Sequence, residues 1–176
     1  IVAALGVQDR DRLWELAQRL VSVLLTNGET VWERTLRTRV TTMLALDDQL
    51  VVGTAAKRIL SISLSNGRQR WQWPLGGDVS GAPTADDKRI YFAARDNLLR
   101  AVDRGSGNLR WKANLPSRPA GGPLRLPDTL FMPMVSSEIL GFDPQTGKPT
   151  VTVRAAGEIG VQPFFRPGVR HTAPLL

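Results

Sequence analysis

A polar residue followed by glycine, with a bulky residue four positions after the glycine, recurs along the chain at an interval of about 40 residues. Asn66-Gly67 leads to Trp71, and Ser106-Gly107 leads to Trp111 at an offset of 40. Thr146-Gly147 follows at the same offset, with Val151 in the tryptophan column. Asn27-Gly28 and Trp32 precede the series at an offset of 39. Other columns keep the same step. Pro83, Pro123 and Pro163 align, with Met43 in the fourth place; so do Leu50, Ile90 and Leu130, then Val51, Tyr91 and Phe131. Ile59, Leu99 and Ile139 align, and Ser63, Asp103 and Asp143 stand just before the turn. Several columns sharing one period mark an internal repeat, and a repeat restricts the chain to architectures that stack one unit on the next.

Within each unit the pattern reads as strands. Leu50–Thr54, Arg89–Ala94 and Thr129–Met134 are short, apolar and rich in residues that favour sheets. A few polar residues separate each from a second strand, Ile59–Leu64, Leu98–Asp103 or Ile139–Asp143. The glycine then supplies a turn needing positive φ. A third strand is expected near Trp71 or Trp111, and a fourth, near Val79–Ala85, Ala120–Leu126 and Gly160–Phe165, opens the next unit. Four short antiparallel strands per 40 residues is the period of a propeller blade. The chain is therefore expected to be all-β, a partial β-propeller over residues 1–176. Its blades are expected at 1–36, 40–75, 79–115 and 120–155, with 159–176 starting another. In the first unit Arg19–Leu24 fits the strand before the turn, while Leu13–Leu25 also fits an amphipathic helix. The start at Ile1 and the apolar end at Leu176 read as a piece of a longer polypeptide.

Composition narrows the function. There is no cysteine, which excludes disulfides, thiolate metal sites and cysteine nucleophiles. His171 is the single histidine, which excludes a multi-histidine metal site and argues against a Ser-His-Asp centre. No apolar run approaches the roughly 18 residues of a membrane helix. Lys and Arg number 23 against 16 Asp and Glu, a net charge of +7. The cations are scattered, with no basic run, and that distribution argues against nucleic acid as the partner.

The segment Ala101-Val102-Asp103-Arg104-Gly105-Ser106-Gly107-Asn108-Leu109-Arg110-Trp111 resembles the tryptophan-docking repeat of the PQQ-like, quinoprotein-type β-propellers. The copy ending at Trp71 keeps Gly67 but has Ser63 in place of Asp; the copy ending at Val151 keeps Asp143, Thr146 and Gly147. The first keeps Gly28 and Trp32. The resemblance implies that Gly28, Trp32, Gly67, Trp71, Asp103, Gly107, Trp111, Asp143 and Gly147 are structural, each indole packing between adjacent blades near a glycine turn. It also implies eight blades in a closed ring, so missing sequence or a second chain is expected to complete this one.

The same resemblance covers two function classes. The non-catalytic branch, typified by the outer-membrane lipoprotein of the β-barrel assembly machine, implies an extracytoplasmic, bacterial scaffold that binds protein partners and carries no cofactor, metal or catalytic residue. The alternative is a fragment of a PQQ-dependent dehydrogenase, with quinone and a divalent cation held by residues outside this chain. Asp47-Asp48 and Asp86-Asp87 read as hairpin loops, and Gly76-Gly77 and Gly121-Gly122 as close-packing positions before inner strands. Candidate partner loops are Arg37-Thr38-Arg39, Arg68-Gln69-Arg70, Pro116-Ser117-Arg118-Pro119 and Phe164-Phe165-Arg166-Pro167.

Overall fold

A computed structural model describes residues 19–23 and 26–154, and every regular element among them is a β-strand. Strands β1 (Arg19–Val23) and β2 (Thr30–Thr35) form an antiparallel pair. Strands β3 (Val40–Ala45), β4 (Gln49–Thr54), β5 (Arg58–Ser63) and β6 (Gln69–Pro74) form a four-stranded sheet in sequence order. Strands β7 (Thr84–Ala85), β8 (Arg89–Ala94), β9 (Leu98–Asp103) and β10 (Leu109–Asn114) form a second. Strands β11 (Leu124–Arg125), β12 (Leu130–Pro133), β13 (Glu138–Phe142) and β14 (Pro149–Arg154) form a third. All pairings are antiparallel meanders, the construction of propeller blades. No helix among the described residues is long and apolar enough to cross a membrane.

Residues 19–23 are extended, which sets aside the helical reading over that stretch; the rest of the proposed helix, and residues 159–176, lie outside the described residues. The opening strands are shorter than the sequence suggests. β7 and β11 are two residues each, whereas β3 runs for six. The proline column explains the difference. Pro83 and Pro123 have no N–H to give the ladder, and Gly81 turns away with φ 68. Met43 keeps its N–H and pairs with Val52 in the middle of β3.

The second hairpin of each sheet turns in the same way. Lys57, Asn97 and Ser137 all adopt positive φ, of 55, 57 and 62. The amides of Lys57 and Asn97 donate to Thr54 and Ala94 three residues back. This is the three-residue hairpin in which a tight turn is followed by one left-handed residue.

Contacts group the described residues into two compact units. One runs to Val79 and takes in Gly105–Gly107; the other holds Ser80–Arg104 and the chain from Asn108 on. The first has a core of Leu20, Trp32, Leu50, Val52, Leu60 and Ile62. The second is built on Tyr91, Leu99, Trp111, Leu130, Met132 and Phe142, with Met134 and Leu115 beside them. Strand β4 is buried at all six positions and β8 at five. Strands covered on both faces need near-continuous apolar runs, which is what Leu50–Val52 and Ile90–Ala94 supply.

Candidate functional site

The outer strands β2, β6 and β10 share one burial pattern, in which only the third of six residues is buried. That residue is Trp32, Trp71 or Trp111, 8%, 7% and 8% exposed. Each indole lies against the glycine turn of the following repeat. A β-carbon on Gly67 would stand 2.8 Å from Trp32 Cδ2, and one on Gly107 would stand 2.6 Å from Trp71 Cδ2. The same atom on Gly147 would stand 2.6 Å from Trp111 Cδ2. The three glycines have φ of 67, 74 and 71, so their lack of a side chain satisfies both the turn and the ring above it. Trp32 Nε1 donates to the Leu64 carbonyl at 2.6 Å, and Trp111 Nε1 to the Pro144 carbonyl at 2.9 Å. A buried indole thus fills apolar space and places its one polar atom. Gly28 has the same turn, φ 75, with no described atom within 4 Å of its β position. Val151, in the tryptophan column of β14, is 44% exposed.

The turns carry their own polar partners. The amides of Gly67 and Gly147 donate to Ser63 and Asp143 at 2.9 and 2.8 Å. Asp143 Oδ1 accepts the amides of Gln145 at 2.6 Å and Thr146 at 3.0 Å. Those two amides, Thr146 foremost, hold the Asp143 carboxyl below the usual carboxylate range. Asn66 and Asn27 cap their turns similarly, each accepting an amide two residues on. Asp103 Oδ2 accepts Arg110 Nη2 at 2.6 Å.

Two features escape the column reading. Two residues after the buried tryptophan, a second side chain reaches the next turn. Trp73 Nε1 donates to the Gly107 carbonyl at 2.7 Å, and Arg34 Nη1 donates to the Gly67 carbonyl at 3.0 Å. Strand alternation places residues two apart on one face, so the spacing of Trp71 and Trp73 carried the signal. The other is Tyr91, fully buried, whose hydroxyl donates to Asp86 Oδ2 at 2.6 Å. Asp86 Oδ1 accepts the amides of Lys88 and Arg89 at 2.8 and 2.7 Å. Partial burial pushes Asp86 up, but Tyr91, these amides and the Arg89 charge together hold it below the usual range. Burial, then the Asp86 hydrogen bond and charge, push Tyr91 up to about 12.

Of the glycine pair before β11, Gly122 is a close-packing position, since a β-carbon there would collide with the backbone of Ala82. Of the candidate loops, Arg37, Arg39, Arg68, Arg70 and Arg118 are exposed, and Pro119 is buried. Arg70 pairs with Asp48 at 2.5 Å. Phe164–Pro167 lie outside the described residues.

Among the described residues no group of three His, Cys, Asp or Glu could hold a metal ion. Four of their carboxylates are used internally: Asp96 grips Arg100 at 2.7 Å, Glu138 meets Arg154 at 3.4 Å, and Asp86 and Asp143 cap turns.

The family model described as outer membrane protein assembly factor BamB matches residues 16–159. No curated protein sequence matches the chain. Among solved structures, BamB from Moraxella catarrhalis is similar with a TM-score of 0.67 and 20% identity, over 78% of this chain and 42% of that one. BBS1N, solved in complex with ARL6DN, gives a TM-score of 0.65 and 20% identity, over 81% of this chain and 48% of that one. A europium-containing methanol dehydrogenase gives 0.63 and 13%, over 77% of this chain and 38% of that one. The chain spans less than half the length of each.

Proposed function

This chain belongs to the family of outer membrane protein assembly factor BamB, and from that premise we propose that it is a non-catalytic, extracytoplasmic propeller segment that binds protein. In this reading Gly28, Trp32, Gly67, Trp71, Asp103, Gly107, Trp111, Asp143 and Gly147 are docking residues that hold successive blades together. Loops and strand edges do the binding. Missing sequence or a second chain completes the ring, and no cofactor is required.

The observation that carries the reading is where the polar groups of the repeat turns are spent. The carboxyl of Asp143 closes its own turn, that of Asp86 is held by Tyr91 and two amides, and the two indoles of Trp32 and Trp111 give their N–H to backbone carbonyls. A site for quinone chemistry needs such groups free and convergent, together with a cation. A rigid frame with variable loops suits recognition instead. BamB belongs to outer membrane assembly by its description, and BBS1N was solved bound to a protein.

The test is titration of the purified chain with PQQ and calcium, read by quinone absorbance and by dye reduction with an alcohol. Size-exclusion light scattering and chemical crosslinking in envelope extracts accompany it. Crosslinked protein partners, with neither quinone binding nor dye reduction, are expected. Stoichiometric quinone uptake that is lost on chelation would replace this reading with that of a dehydrogenase fragment.

A further inference from the structure

A cationic groove lies on the first unit, beside the turn that Trp32 covers. It holds about 350 Å³ between residues 34–38, the end of β2 and the start of its link to β3, and one face of β5–β6. Arg34, Arg37 and Arg58 line it, and no Asp or Glu does. The floor follows from strand alternation. Arg58 and Leu60 share a face of β5, and Gln72 stands opposite Leu60 on β6. Leu36 and Leu60 therefore give the groove an apolar base, while Gln69, Gln72, Thr35 and Thr38 add amide and hydroxyl groups to its walls.

The three arginines are not equivalent. Arg34 is anchored, donating to the Gly67 carbonyl at 3.0 Å and to Gln69 Oε1 at 3.4 Å. It fixes the linker over the sheet and contributes its charge from within. Arg37 and Arg58 are exposed at the rim and free to swing onto a ligand. Guanidinium forks grip carboxylates with two parallel bonds, which a lysine cannot do.

From this geometry we propose that the groove binds an acidic peptide segment of a protein partner, its carboxylates on Arg37 and Arg58 and an apolar side chain on Leu36 and Leu60. Three charges without a carboxylate select an anion. A pocket of this volume is in the range that takes an organic ligand rather than a lone ion. The side-chain amides of Gln69 and Gln72 can both give and accept, as a peptide backbone demands and a phosphate does not. The inference rests on the reading of the chain as a protein-binding propeller and adds the chemistry of the partner.

The experiment is fluorescence anisotropy of the full chain with a short labelled peptide alternating Glu and Leu. A Lys-for-Glu peptide, inorganic phosphate and phosphatidylglycerol vesicles serve as the other probes. Arg37→Asn keeps a residue that tolerates the left-handed backbone there, φ 54. Arg58→Gln removes the other rim charge. Each is first checked for an unchanged melting temperature. The acidic peptide is expected to bind, to weaken as salt rises, and to lose about tenfold in affinity in the double variant. Equal affinity in the double variant, or binding of phosphate or vesicles with none of the peptide, would overturn the groove. Failure here leaves the scaffold reading intact if envelope proteins still crosslink, and quinone uptake would remove that reading whatever the peptide does.

Discussion

Trp111 lies over Gly147, the glycine 36 residues further on, so closely that a β-carbon there would come 2.6 Å from Cδ2 of the ring. The contact ties β10 to the turn between β13 and β14, and the indole N–H completes it at the Pro144 carbonyl. Trp111→Ala removes a ring that is 8% exposed and leaves a cavity in the second unit's core. The expected loss is about 3–5 kcal/mol. Gly147→Ala attacks the same contact from the other side, combining a clash with positive φ, and is expected to cost at least about 2 kcal/mol. Urea melts followed by tryptophan fluorescence would check both. A wild-type midpoint in either would show that the contact is not formed.

Trp73 reaches the same kind of turn by its N–H. Its Nε1 donates to the Gly107 carbonyl at 2.7 Å, while Trp71 covers the β position of Gly107. Trp73→Phe keeps an aromatic ring, though a smaller one, and deletes one hydrogen bond. A loss of about 1 kcal/mol is expected, less than that of Trp71→Ala by a factor of three or so. Equal losses in the two variants would mean that ring volume, not the N–H, matters at position 73.

The period of the chain made most of this legible. Glycine, tryptophan and proline columns repeat because each answers a structural requirement that recurs from blade to blade, positive φ, one buried aromatic, one missing N–H, with Val151 and Met43 as the departures. The lengths of β7 and β11 were less so, because a run of apolar residues does not say where proline and Gly81 stop the ladder. The second reach of Trp73 and Arg34 was hidden for another reason. The two side chains share no chemistry beyond an N–H, so no column of like residues forms. The cationic groove was similarly invisible, since Arg34, Arg37, Arg58 and Gln72 come together through the linker crossing the sheet and not through sequence spacing.

Gly122 and Gly28 separate the two reasons a glycine is needed. At Gly122 the backbone of Ala82 occupies the β position, with its nitrogen 2.8 Å away, and that backbone cannot give way as a side-chain tip would. At Gly28 the space is open and only φ 75 opposes a side chain. Gly122→Ala is therefore expected to destabilise by about 2–3 kcal/mol or to prevent folding, and Gly28→Ala by about 1 kcal/mol. Thermal melts of the two variants would check the order, and a larger loss at Gly28 would reverse the argument.

Tyr91 is the only tyrosine of the chain, so its titration can be followed directly in the tyrosinate absorbance band. The buried hydroxyl gives its single hydrogen to the Asp86 carboxylate, and ionising it would set two negative charges 2.6 Å apart. Its pKa is raised from 10.0 to about 12, so the folded state favours the protonated form. The stability this contributes is complete below pH 10, declines above it and is lost as pH rises through about 12. Asp86 acts in the opposite sense. Its pKa is lowered from 3.8, so its contribution is complete above that value and is lost as pH falls through the depressed value. Tyr91→Phe removes the alkaline limb and also weakens the acid one, because Asp86 loses the hydroxyl that does most to hold its carboxyl down and keeps only its two amides and the Arg89 charge. Melting temperature against pH should thus fall at the alkaline end in the wild type and be flatter there in the variant. A tyrosinate midpoint near 10 in the folded protein would show that Tyr91 and Asp86 are not partners.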